Sequence, residues 1–198
     1  MRIPILIAGL LAGGALSRLA AQTDVSLRVG VTGSSALVKD FIAQDVDVKS
    51  SVAPSVFLGV GHPIAPRYGA GLELALTAGS LHSDYGDVRA DLGSVRTASA
   101  LALLDGGVSG GLRWRAGLGL LHYFAGDSGS VLASGTTRLL VGGGLDFRRP
   151  VLSRWDVLIA ARYDFHRFAS PALKAHGYSG AQGVQRVSLS VGLARGHR

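Results

Sequence analysis

Cysteine is absent from the 198 residues, and only one methionine is present. No disulfide framework can form, so the cysteine count is compatible with either export or a reducing cytosol. Lysine is scarce as well. Of 20 basic residues only Lys39, Lys49 and Lys174 are lysines; the others are arginines dispersed along the chain. The net charge of +7 therefore lacks the clustered Lys/Arg stripe that a nucleic-acid footprint needs, and nucleic acid is not an expected partner. Long apolar runs are missing too: after the first 20 residues nothing approaches the unbroken stretch of about 18 that a spanning helix requires. A helical membrane protein is not expected on that ground. The glycine-rich stretches at Gly106-Gly107 and Gly142-Gly143-Gly144 lack the lysine and the strand-to-helix context of a phosphate loop. The six histidines (His62, His82, His122, His166, His176, His197) show no close metal-ligand spacing. No metal or cofactor is expected.

What is present begins with a targeting pattern. Met1-Arg2 carries the charge, residues 5–16 are apolar, and small Ala20-Ala21 follow. This is the layout of a secretory signal peptide cleaved after Ala21. The expectation is a leader over 1–21 and a single domain over 22–198.

Glycine is the other abundant feature, at 29 residues, and it punctuates a period-2 alternation through the rest of the chain. Eight segments alternate. Val25, Leu27, Val29 and Val31 form the apolar side of the first, Val56, Leu58 and Val60 of the second, and Leu72, Leu74 and Leu76 of the third. A fourth runs from about 92 to 104, with Arg96 read on its polar side. Segments over 112–120, 139–147, 155–165 and 187–193 continue the pattern. Alternation of this kind specifies β-strands with unlike faces. The connections alternate between long (34–51, 79–91, 126–135, 169–182) and short (62–67, 105–111, 148–154), with Pro63, Pro66 and Pro150 read as turn residues. Long loops outside and short periplasmic turns are the habit of outer-membrane barrels. The fold class expected is all-β: an eight-stranded antiparallel up-and-down transmembrane β-barrel.

The polar faces hold Arg28, Glu73, Arg96, Arg113, Arg115, Arg138, Asp146, Arg162, Asp164 and Arg186 among many small residues. Solvated strand surfaces favour longer polar or β-branched side chains, whereas small residues leave room for a few large charges in a crowded lumen. The apolar face carries Trp114, Phe147 and Trp155 near short turns, and Phe124 and Phe165 near long loops. Two aromatic girdles at membrane–water interfaces have that layout. The apolar face is thus expected to meet lipid, and the charges to form a lumenal network. Counted from the turns, Arg28, Glu73, Arg113, Arg115, Asp146 and Asp156 fall toward the periplasmic end, and Arg96, Arg138, Arg162, Asp164, His166 and Arg186 toward the outer end. Glu73 is expected as the central acceptor for Arg113 or Arg115, together with Arg28.

The alternating segments behind a leader, the Trp-initiated penultimate strand WDVLIAARYDF and the closing VQRVSLSVGLA resemble the small outer-membrane β-barrel proteins of the OmpA and OmpW type, over essentially the whole mature chain. The last strand departs from that pattern by closing on Leu193 and a basic tail rather than on a terminal aromatic residue. The resemblance implies a cell-outer-membrane location, insertion by the barrel-assembly machinery, and surrounding outer-membrane lipid and lipopolysaccharide. A monomer is expected.

No catalytic constellation stands out, and the protein is not expected to be an enzyme. The expected function is that of a barrel with a charged, plugged or narrow lumen, structural or adhesive, or a small-solute conduit. Two alternatives differ in class. A lipid A-modifying (deacylase-like) barrel would use His166 with Ser170 and Asp164 at the outer rim. A soluble periplasmic lipocalin-like barrel would instead turn its apolar face inward around a ligand.

Overall fold

The computed structural model describes residues 23–41, 45–85, 88–125, 135–169 and 182–195. The expected leader, Ser170, His176 and the 196–198 tail lie outside the described residues.

Among the described residues ten strands form, in chain order β1 (Asp24–Ser34), β2 (Val38–Phe41), β3 (Asp45–Ser50), β4 (Ala53–Ala65), β5 (Tyr68–Tyr85), β6 (Val88–Ser109), β7 (Leu112–Tyr123), β8 (Thr136–Leu152), β9 (Trp155–Phe168) and β10 (Gln182–Arg195). Eight of them, all but β2 and β3, follow one another around a ring in which every neighbour is antiparallel. The ring is closed by β1 against β10, in register from Val25↔Arg195 to Ser34↔Arg186. This is the eight-stranded up-and-down barrel. Closure leaves no strand edge in the wall, so the backbone groups there find cross-strand partners, as a hydrocarbon surround demands.

The short connections contract to two-residue turns at 66–67, 110–111 and 153–154, because the strands run almost to their tips. At the second turn both Gly110 (φ 57°) and Gly111 (φ 89°) lie in the left-handed region, the geometry that lets a two-residue hairpin match the twist of its strands. Pro66 is a turn residue as expected, but Pro63 and Pro150 lie in strand ends, next to register shifts at Pro63/Ala65 and Pro150/Leu152. A bulge is where a missing N–H is tolerated.

Two of the long connections differ from expectation. Much of 79–91 is strand: β5 and β6 stay paired from Ala78↔Arg96 to Tyr85↔Val88, beyond their last ring partners at Thr77↔Ser55 and Thr97↔Tyr123. The 34–51 stretch contains β2 and β3, and β3 pairs with the extension of β5 from Val46↔Tyr85 to Ser50↔Leu81. A four-stranded apron, β2-β3-β5-β6, therefore rises from one side of the outer rim.

The two faces of the wall are sharply unlike. Leu72, Leu118 and Leu189 are 63%, 53% and 58% exposed, whereas Arg28 and Glu73 are each 1% exposed. Apolar outward residues on β9 extend from Trp155 to Phe165. Ten residue steps at about 3.4 Å, tilted by about 40°, give a belt roughly 26 Å high. Contiguous apolar surface on that scale is incompatible with a monomer in water and matches the hydrocarbon core of a bilayer. The lipocalin-like alternative needed the opposite orientation, and this arrangement overturns it.

Candidate functional site

The lumen is the candidate site, and it is filled in layers. In its middle, Glu73 reaches in from β5 and accepts hydrogen bonds from three arginines on three other strands. Arg28 of β1 donates to Oε2, Arg115 of β7 donates to the same oxygen at 2.8 Å, and Arg162 of β9 donates to Oε1 at 2.5 Å. Arg115 also lies 3.3 Å from Asp146 of β8, and Arg162 donates through Nε to Asp164 at 2.6 Å. Three guanidinium groups thus meet three carboxylates. The balance matters because an ionised group out of bulk water is tolerable only when paired and hydrogen-bonded. Phe57, projecting inward from β4, lies 5.1 Å from the Arg28 guanidinium carbon and 5.8 Å from that of Arg162, within cation–π range of both. Gly142 makes room for this layer, since a Cβ there would collide with the Asp164 carboxylate.

Towards the outer end the chemistry changes. Hydroxyls link neighbouring strands, Thr32 to Ser188 and to Ser55 at 2.8 Å each, and Ser55 to Thr77 at 2.9 Å. Arg186 donates to Thr77 and Thr97 at 3.3 Å each. Above and beside them sits an apolar cluster that includes Leu37, Leu81, Leu101, Leu121, Leu140, Phe168 and Val184, all at most 1% exposed. Tyr123 packs edge-on to Phe168 at 5.1 Å, and its hydroxyl pairs with His166 Nε2 at 2.8 Å. Voids beside the charged layer and beneath the outer end hold about 10 and 20 Å³, room for about one water each at most.

At the opposite end, where the two-residue turns gather, a vestibule of about 540 Å³ opens below Arg115. Its walls carry two more ion pairs, Arg113 with Asp105 and Arg148 with Asp24, together with Asp156 and His62.

The residues expected in the lumen fall into three groups. Arg28, Glu73, Arg115, Asp146, Arg162 and Asp164 come together in the central layer. Arg162 and Asp164 thereby join residues that counting from the turns had placed at the other end. Arg113, Arg138 and Arg186 point inward but stand apart from Glu73: Arg113 holds Asp105, Arg138 donates to the Ala169 carbonyl, and Arg186 holds the two threonines. Arg96 is a correction. It is exposed on the outside of the wall, because the register Thr77↔Thr97 and Ala78↔Arg96 turns Val95, Thr97 and Ser99 inward instead. The five aromatic residues expected in the girdles all lie on the outer face, whereas Phe57, Tyr123 and Phe168 point inward. Trp114, Phe147 and Trp155 sit at the end with the two-residue turns, where Trp114 meets Tyr68 edge-on at 6.5 Å. Phe124 and Phe165 sit near the opposite end.

Of the rim arrangement that a deacylase would use, Asp164 is engaged by Arg162 in the central layer. His166 is 1% exposed and held by Tyr123 inside the lumen, so its imidazole faces away from the surrounding membrane. Outside the bilayer the apron carries an ion pair of its own. Lys49 lies 3.0 Å from Asp47 and 3.2 Å from Asp84, and hydrogen bonds to these carboxylates raise its pKa above the ordinary lysine value.

Sequence reasoning missed the apolar outer layer. Leu121 and Leu140 are inward and fully enclosed, yet they belong to faces read as polar. The available signal was their phase: Leu121 continues the row of Gly117 and Gly119, and Leu140 begins that of Gly142 and Gly144.

No family model matches the sequence, and no curated protein does either. Solved structures do match in fold. Neisserial surface protein A superposes with a TM-score of 0.58 at 13% identity, over 88% of this chain and 96% of that one. The outer membrane protein AlkL, determined in lipid bilayers, gives 0.54 at 11% identity, over 88% and 90%. The outer membrane protein OprG from Pseudomonas aeruginosa gives 0.52 at 14% identity, over 88% and 95%. The fold is that of the small outer-membrane β-barrels.

Proposed function

We propose that this chain is a non-conducting integral outer-membrane barrel with a structural or adhesive role, presenting its apron to the cell exterior. The observation that carries this reading is the double closure of the lumen, by the Glu73–arginine layer and by the apolar cluster above it. A conduit for small solutes needs a path that these two layers fill. The chain reaches the outer membrane by its leader and the barrel-assembly machinery, and it functions there as a monomer. Trp114, Phe147 and Trp155 anchor it at the periplasmic interface, Phe124 and Phe165 at the outer one. Recognition resides in the apron, since loops and projections on a rigid scaffold carry binding more readily than the wall does.

Planar-bilayer recording tests the reading. The wild-type protein is expected to show no resolved conductance steps, and the combined Glu73→Gln, Leu140→Ala variant is expected to show them. Steady conductance from the wild type would overturn it.

A further inference from the structure

Arg96 is the anomaly of the outer wall. It occupies an outward position on β6, directly opposite Ala78 of β5, whose methyl is too small to cover a guanidinium. Among the described residues no carboxylate pairs with it. Its carbonyl accepts the amide of Phe124 at 3.0 Å, which places it level with the outer aromatic residues rather than in the water beyond. A cation on the lipid-facing side of a barrel is destabilising unless it reaches water or an anion.

The surface beside it is not flat. A groove of about 490 Å³ runs over the outer ends of the strands, lined by Arg96, Phe124, Ala78, Leu76, Val56 and Val29. The site thus pairs one unmatched cation at the level of lipid headgroups with an apolar channel on the acyl-chain side. An amphiphile bearing a phosphate and a hydrocarbon chain matches both parts. Arginine is suited to phosphate because its planar donors engage two oxygens at once.

We infer that Arg96 and this groove bind one phosphate-bearing outer-leaflet lipid of the lipid A class, with the phosphate on the guanidinium and an acyl chain along Leu76, Val56 and Val29. The inference rests on the transmembrane reading of the outer face.

Native mass spectrometry of the full chain tests it, after reconstitution in phosphatidylcholine nanodiscs containing lipid A and release into mild detergent. Heat-modifiable gel migration of each sample reports separately whether the barrel is folded and membrane-competent. The wild type is expected to retain one lipid A. Arg96→Gln is expected to lower that occupancy about tenfold, the loss of roughly one charge-assisted hydrogen bond. Arg96→Lys should keep most of it, and Val56→Phe, which fills the acyl-chain part of the groove and leaves the guanidinium in place, should also lower it. Arg67→Gln, at an exposed turn on the opposite end, should have no effect. Equal retention by the wild type and Arg96→Gln would overturn the inference. So would equal retention of dephosphorylated lipid A, or of phosphatidylglycerol in place of lipid A.

Discussion

The middle of the lumen and its outer end are enclosed by the same eight strands, yet they are filled by opposite chemistry. In the middle, Glu73 gathers Arg28, Arg115 and Arg162 from three strands spread around the ring. At the outer end Leu121, Leu140, Phe168 and Val184 pack as an ordinary hydrophobic core. The charged layer is directional: it fixes which strands face one another across the lumen, and it tolerates little change, because every member is another member's partner. The apolar layer is non-directional and excludes water by volume. A pore could be closed by either alone. Having both means that the two can be weakened one at a time.

The largest effect is expected at the charged layer. Glu73→Gln leaves three arginines without their shared carboxylate, and breaking a buried ion pair from one side costs about 3–5 kcal/mol. The melting temperature of the folded species, read from heat-modifiable migration, should fall accordingly. An unchanged melting temperature would mean that the arginines are solvated and that the layer is not a plug. A smaller loss is expected above it. Leu140→Ala removes a side chain with no exposed surface, and truncations of this kind cost about 2–5 kcal/mol, less where neighbours collapse inward. Here the cavity is bounded by flexible leucines and by the Tyr123–His166 pair, so the lower part of that range is expected in the same assay. If Leu140→Ala proved the more damaging of the two, the contrast between the layers would be reversed.

Much of this barrel is legible in the sequence because its solvent is inverted. Val25 to Val31 on β1 and Trp155 to Phe165 on β9 alternate cleanly, since one face must satisfy lipid and the other a crowded polar interior. β6 is where that signal fails. Val95, Leu101 and Leu103 point inward while Ala98, Ala100, Ala102 and Leu104 point outward, so apolar residues occupy both faces and the period has no phase. Only pairing with β5 decides the phase, and it sends Arg96 to the lipid side. The apron escaped notice for a different reason: β2 and β3 span only four and six residues, too short a run of alternation to stand out between two membrane strands, although Val48 and Leu81 there are buried in the apolar cluster. At the candidate site, Glu73 with Arg28 and Arg115 could be anticipated from their distances to the turns. Arg162 could not. It stands level with Arg115, each opposite Gly144, although it lies farther along its strand from its own turn. The stagger that closes a barrel offsets one turn from the next, and counting along single strands does not contain it.

All of this depends on which way the wall faces, and the absence of native cysteine makes that directly measurable. Nitroxides attached one at a time to cysteines substituted at positions 187 to 191 of β10, in reconstituted bilayers, report access to oxygen and to a water-soluble nickel complex. At Val187, Leu189 and Val191 oxygen access should be high and nickel access negligible, with oxygen access dropping at Ser188 and Ser190 between them. Strong nickel access at Leu189 and Val191, with oxygen favouring the two serine positions, would contradict the account at its root.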